Sequence, residues 1–272
     1  MDKISRIATQ KNSKSRYSIF LTNGNVERYG FSVDEAILIE HQLRKGMELD
    51  ESTIQALTKE DTIHKSYSMA LHYLSYRMRS EKEMSLYLEK KEVDAEHISI
   101  IIQRLKQEGL LNDLEFAEAF VQTRVQMTSK GPLFIRKELI EKGIQDDIIG
   151  RALSLYTFED QYQKALQWVK KKRTTKAKKS LQHQLQALQQ NLLQKGFTSD
   201  VVKEVLKEAR EGQEEDSEWE AIVYQGEKLI RKFNKQAEGS AYKQKVKAGL
   251  YRKGFRLEYI DRFLEEHLNG EY

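Results

Sequence analysis

Cysteine is absent from the 272 residues and proline occurs once, at Pro132. Without cysteine there are no disulfides and no thiolate metal sites, which suits a reducing cytosol. No apolar run approaches membrane-spanning length, and the first eighteen residues, MDKISRIATQKNSKSRYS, lack the apolar segment of a secretory signal. A cytoplasmic protein without membrane attachment is expected. The nucleotide-loop patterns G-x-x-x-x-G-K-[ST] and G-x-G-x-x-G, the nucleophile pattern G-x-S-x-G and the zinc pattern H-E-x-x-H are all missing. The histidines at 41, 64, 72, 97, 183 and 267 are scattered, with none paired at metal-ligand spacing. Catalysis, a cofactor, a metal and a small-molecule substrate are therefore not expected. A mean hydropathy of −0.70 with 32% charged residues argues against one thick core. It fits many helices with narrow apolar stripes, or an elongated array.

What is present begins with a short β-rich segment. Tyr17, Ile19 and Leu21 alternate before Asn23-Gly24, and Val26, Tyr29 and Phe31 follow. Asn-Gly between such runs signals a hairpin, since both residues tolerate positive φ. Ile4–Thr9 supplies a third strand, and Ser32 with Glu35 reads as the start of a covering helix. Sheet is expected only within about residues 1–35.

From about Asp61 the apolar spacing turns helical, and a tetrad recurs. Leu88, Lys91, Val93, Ile98 reappears as Leu139, Lys142, Ile144, Ile149, then as Leu192, Lys195, Phe197, Val202, and finally as Leu250, Lys253, Phe255, Ile260. The copies lie 51, 53 and 58 residues apart. Three of them carry K-G-[IF], with Gly143, Gly196 and Gly254 at the left-handed position that closes a helix. The first has Glu92 there. Ile102, Leu153, Leu206 and Leu264 extend the apolar face. An additional helix precedes each pair: Ala70, Tyr73, Leu74, Arg77 match Ala117, Phe120, Val121, Arg124 and Ala165, Trp168, Val169, Lys172. The fourth copy, IVYQGEKLIRKF, fits more loosely. The fold class is mainly α, tandem three-helix repeats after a small β-hairpin-containing domain. The expected domains are 1–62 (β-rich), 63–113, 114–158, 159–211 and 212–272.

Ser80 and Glu83 form the S-x-x-E capping box, which starts a helix beside Arg77 and Arg79. Cations gain nothing from a helix N-terminus, so this pair raises the question of an anionic partner. Arg124, Lys130, Arg136 and Lys137 occupy the corresponding joint of the second repeat. Lys170, Lys171, Lys172, Arg173, Lys176, Lys178 and Lys179 occupy that of the third, in a window from Gln161 to Ser199 with no Asp or Glu. Basic joints aligned by stacking would offer a cationic strip to a nucleic-acid backbone, without base-specific readout. Tyr76, off the apolar stripe, is a candidate for packing or base stacking. The acidic stretch 204–220 joins the third and fourth repeats as a solvated linker or a hinge. A solvated basic face and a protein-only scaffold remain alternatives.

Three segments carry a family resemblance: LSYRMRSEKE (Leu74–Glu83), LKQEGLL (Leu105–Leu111) and DLEFA (Asp113–Ala117). They resemble the RecX family of recombination regulators over residues 66–156, and the repeat pattern carries the resemblance more weakly through 160–272. Met78 stands where that family usually has proline. The resemblance implies a tandem three-helix fold and a partner, the RecA recombinase filament on single-stranded DNA. It further implies limitation of RecA's ATP hydrolysis and strand exchange in recombination, DNA repair and the SOS response. Contact with double-stranded DNA is a further expectation, and a nucleic-acid binder that never meets RecA is the alternative.

Overall fold

A computed structural model describes the chain apart from residues 12, 25, 173–177, 212–214, 234–238 and 269–272. The chain divides into two compact units, Met1–Phe116 with Lys142–Ile144, and Ala117–Glu141 with Gln145–Tyr272.

The first unit opens with strands β1 (Asp2–Gln10), β2 (Ser13–Thr22), β3 (Glu27–Asp34) and β4 (Glu48–Leu49), antiparallel in the order β3-β2-β1-β4. The fourth strand corrects the expectation that sheet stops near residue 35; its Leu49 pairs with Asp2 and is buried. In the β2–β3 ladder Ile19 pairs with Phe31 but Phe20 pairs with Tyr29, so Gly30 is bulged out. A Cβ there would lie 2.6 Å from Leu21 Cδ1. The bulge flips the alternation: Phe31 and Val33 enter the core with Ile19 and Leu21, while Tyr29 faces solvent.

Helix α1 (Glu35–Glu40) is capped by Asp34, whose side chain accepts from the Ala36 N–H, and not by Ser32. Ser32 lies in β3, and its hydroxyl accepts from Gln10 Nε2 at 2.8 Å on the sheet face. Helix α2 (Glu51–Leu74) runs through residue 62 and serves two cores, placing Leu57 on the sheet and Tyr67 and Ala70 among the helices. Asp61 fastens it to the sheet, accepting from Arg16 Nη2 at 2.6 Å and from the Asp34 N–H at 2.7 Å.

Helices α3 (Glu81–Lys90) and α4 (Ala95–Gln107) complete the first repeat with the C-terminal part of α2. The second repeat is α5 (Asp113–Met127), α6 (Pro132–Glu141) and α7 (Asp146–Leu153). The third is α8 (Phe158–Lys172), α9 (Leu181–Gln194) and α10 (Ser199–Glu211). The fourth is α11 (Glu215–Phe233), α12 (Gly239–Arg252) and α13 (Leu257–Leu268).

Leu88, Leu139, Leu192 and Leu250 are each fully buried, worth about 2 kcal/mol apiece. Three residues after Ile98, Ile149, Val202 and Ile260 come Ile101, Ala152, Val205 and Phe263, also fully buried. Ile102, Leu153, Leu206 and Leu264, the expected extension of that face, are only half-buried, one position around each helix. The loose fit of the fourth copy has a packing reason. Where the others have a buried alanine it has Gly226, because a Cβ there would meet the Phe263 ring at 2.1 Å.

Candidate nucleic-acid interface at the basic joints

The second helix of a repeat starts against a K-G-[IF] turn. Ser80 caps α3 as expected: the Glu83 N–H donates to Ser80 Oγ at 3.2 Å, and the Ser80 N–H donates to Glu83 Oε2 at 3.4 Å. Fully buried, Ser80 also donates to the Lys142 carbonyl at 2.8 Å. The Asp113 carboxylate accepts from the Glu81 N–H at 2.8 Å, and burial pushes its pKa up. In the second compact unit Gly131 takes the serine's place, and the backbone itself donates. Gly131 N–H reaches the Lys195 carbonyl at 2.7 Å, and Leu133 N–H reaches that of Gly196 at 3.0 Å. Ser180 caps α9 and donates to the Lys253 carbonyl, while Glu218 accepts from the Leu181 N–H at 2.8 Å.

These joints use most of their cations internally. Arg77 donates from Nη1 and Nη2 to the Glu83 carboxylate at 3.2 and 3.1 Å, and Lys142 Nζ reaches the same group at 2.7 Å. Burial opposes the charged form of Glu83, but hydrogen bonds from Arg77 and Lys142 outweigh it and bring its pKa down to about 2. Arg79 is half-buried, with its guanidinium 3.9 Å from the Tyr73 ring centroid. Tyr73 in turn stacks on Tyr87 at 3.9 Å. Arg79 Nε is buried with no acceptor among the described residues. Arg77 is thus a counter-ion and Arg79 a stacking lid before they are anything else.

Glu138 does the same work in the second repeat. It receives Arg124 Nε at 2.9 Å and Lys130 Nζ at 2.9 Å, with Arg124 over Phe120 and Lys130 over Phe134. Arg136 pairs with Asp146 at 2.9 Å. Lys137 is exposed, with no carboxylate partner among the described residues.

The third repeat differs. Lys170 stands 3.4 Å from Glu208, whose carboxylate also accepts from the Tyr162 hydroxyl. Lys171 and Lys172 are exposed at the end of α8, where cations meet the negative end of a helix dipole. Lys178 and Lys179 are exposed, and Lys178 Nζ lies 4.9 Å from the Tyr224 ring centroid. Among the described residues, Lys171, Lys172, Lys178 and Lys179 have no carboxylate partner. Arg173 and Lys176 lie outside the described residues. Tyr76 is 70% exposed, its hydroxyl 3.1 Å from His72 Nε2. Sequence reasoning missed the neutralising roles of Glu83 and Glu138. Glu83 was visible as a cap, but its second role depends on Lys142, 59 residues away.

Comparison with known proteins gives the same organisation. The model of the RecX N-terminal domain matches residues 2–50, that of the first RecX three-helix domain matches 67–105, and that of the second matches 112–153. The third three-helix domain matches twice, at 159–206 and 215–264. The regulatory protein RecX of Oceanobacillus iheyensis is 50% identical over all of both chains. The chain belongs to the RecX family. The Halalkalibacterium halodurans regulatory protein RecX is 43% identical over 97% of this chain and 99% of its own. Among solved structures, a crystal structure of regulatory protein RecX aligns at TM-score 0.64 and 34% identity, over 76% of this chain and all of that one. RecX from Lactobacillus salivarius aligns at TM-score 0.54 and 35% identity, over 56% and 98%. The double match of the third domain identifies the last two repeats as copies of one module. Among the described residues no helix is long and apolar enough to cross a membrane.

Proposed function

We propose that this chain is a non-enzymatic, cytoplasmic regulator that binds the RecA filament on single-stranded DNA and limits ATP hydrolysis and strand exchange. The observation that carries this reading is the end-to-end match to a regulatory protein, at 50% identity with nothing left over on either chain. The charge distribution supports a contact with phosphates or with acidic filament surface. Cations tied to Glu83 and Glu138 hold the joints together, and Lys137, Lys171, Lys172, Lys178 and Lys179 are available to a partner. The test is RecA-driven ATP hydrolysis and strand exchange at near-stoichiometric regulator. Both rates fall if the reading holds. Unchanged rates with the regulator saturating the DNA overturn it.

A second reading, a nucleic-acid binder that never contacts RecA, draws on the acid-free window from Gln161 to Ser199. Pull-down with recombinase filaments, using naked DNA as control, separates the two. On either reading, replacing Lys171 and Lys172 with alanine flattens the slope of log K against log salt by roughly 1.4 units on single strands, at about 0.7 per contact.

A further inference from the structure

The first and third joints share one backbone arrangement and differ in what neutralises it. Both begin with a serine cap that donates to a lysine carbonyl in a K-G-[IF] turn, Ser80 to Lys142 and Ser180 to Lys253. In both, the next N–H donates to a carboxylate, that of the half-buried Asp113 or of the buried Glu218. Three residues after the cap the first joint has Glu83, which takes Lys142 and Arg77 onto its carboxylate. The third joint has His183 there, with Lys253 in the place of Lys142 and Lys179 in the place of Arg79. The second joint fills the same position with Phe134 and parks its lysine elsewhere: Lys195 Nζ donates to Ser129 Oγ at 3.1 Å and lies over the Trp168 ring.

Of the two cations that Glu83 binds, the third joint thus keeps the counterpart of Lys142 as Lys253, adds Lys179, and among the described residues has no carboxylate at the Glu83 position. Lys179, Ser180, His183, Gln225, Lys253 and Phe255 line a pocket of about 250 Å3. No carboxylate lines it, and neither Lys179 nor Lys253 has a carboxylate partner among the described residues. The start of α9, a fourteen-residue helix, adds its positive end. Ser180 Oγ and Gln225 Nε2 are spent on the carbonyls of Lys253 and Lys178, which fixes the walls and leaves the ammonium groups as the recognising elements.

We propose that this pocket is a phosphate subsite, in which a phosphodiester of a nucleic-acid backbone takes the place that the Glu83 carboxylate fills in the first joint. The polynucleotide as source of the phosphate rests on the nucleic-acid contact proposed above; the pocket's chemistry does not.

The test uses the full chain with two probes, inorganic phosphate and a single-stranded oligothymidylate, and two variants, Lys253→Gln and His183→Glu. The second variant restores the carboxylate of the first joint and completes a capping box, so it folds at least as well as the parent. Oligonucleotide affinity should fall about tenfold in each, the weight of one charge-assisted hydrogen bond. The salt slope should flatten by about 0.7 for Lys253→Gln. Inorganic phosphate should shift the His183 ring resonances of the parent but not perturb Lys253→Gln. If phosphate binds while oligonucleotide affinity is unchanged in both folded variants, the polynucleotide source is wrong. If neither probe distinguishes the variants from the parent, the pocket is not a phosphate subsite. Lys253-dependent oligonucleotide binding with unaltered RecA activities would leave the subsite standing and overturn only the RecA reading.

Discussion

The turn at Glu92 and the turn at Gly196 have the same backbone and different neighbours. Both close the second helix of a repeat with positive φ, 60° at Glu92 and 84° at Gly196. Both fold the next apolar residue back, Val93 N–H to Leu88 O at 3.2 Å and Phe197 N–H to Leu192 O at 3.1 Å. Glu92 is exposed, and among the described residues no hydrogen bond reaches its carbonyl or that of Lys91. Gly196 is pressed against the start of α6, where a Cβ would lie 2.4 Å from the Phe134 nitrogen. Left-handed backbone costs an L-residue roughly 1–2 kcal/mol, which a protein can absorb. Close backbone approach cannot be absorbed, so glycine is required where the turn is docked. The departure at Glu92 therefore marks a turn with nothing resting on it.

The largest effect that would sharpen this comparison is Gly196→Ala. It combines the left-handed strain with an overlap onto backbone, and about 3 kcal/mol or more should be lost in urea unfolding. A loss no larger than φ strain alone would mean that the docked approach is not the constraint. Ser80→Ala comes next, at about 2 kcal/mol, because it removes a cap and the donor to the Lys142 carbonyl together. A neutral thermal melt would break the assignment of Ser80 to both roles.

Glu83→Gln should cost about 1–2 kcal/mol at neutral pH by removing the Glu83 charge from beside Arg77 and Lys142. The folded-state pKa of Glu83 is depressed from 4.5 to about 2. Its contribution is therefore complete above about pH 4.5 and fades as the pH falls from there to about 2. Acid titration of stability should show a shallower loss over that window in the variant. Parallel curves would dismiss Glu83 as the internal anion. The smallest effect is a gain: Glu92→Gly should stabilise by about 0.5–1 kcal/mol, the left-handed strain relieved less the added freedom of the unfolded chain. Destabilisation would show that the Glu92 side chain has a contact of its own.

Much of the fold was legible because it rests on local rules. The repeated leucines, the K-G-[IF] turns and the S-x-x-E box each depend on residues within one or two helical turns. The misreadings arose where a distant strand reassigned a residue. Ser32 has the look of a cap, yet its hydroxyl belongs to Gln10 across the sheet. Tyr29 has the parity of a core residue until Gly30 bulges. At the candidate site the basic residues were legible one by one. Their availability was not, because Glu138 removes Arg124 and Lys130 from the free charge of the second repeat.

The sequence alone determined the repeat, its period, the starts and ends of most helices and the family, since each follows from spacing and local backbone chemistry. Tertiary structure alone decided which cations remain free. A lysine's charge is set by its own chemistry, but its counter-ion is set by which carboxylate the fold brings within about 3 Å. In the first joint that carboxylate is Glu83, and at the matching position of the third the described residues offer His183 and no carboxylate.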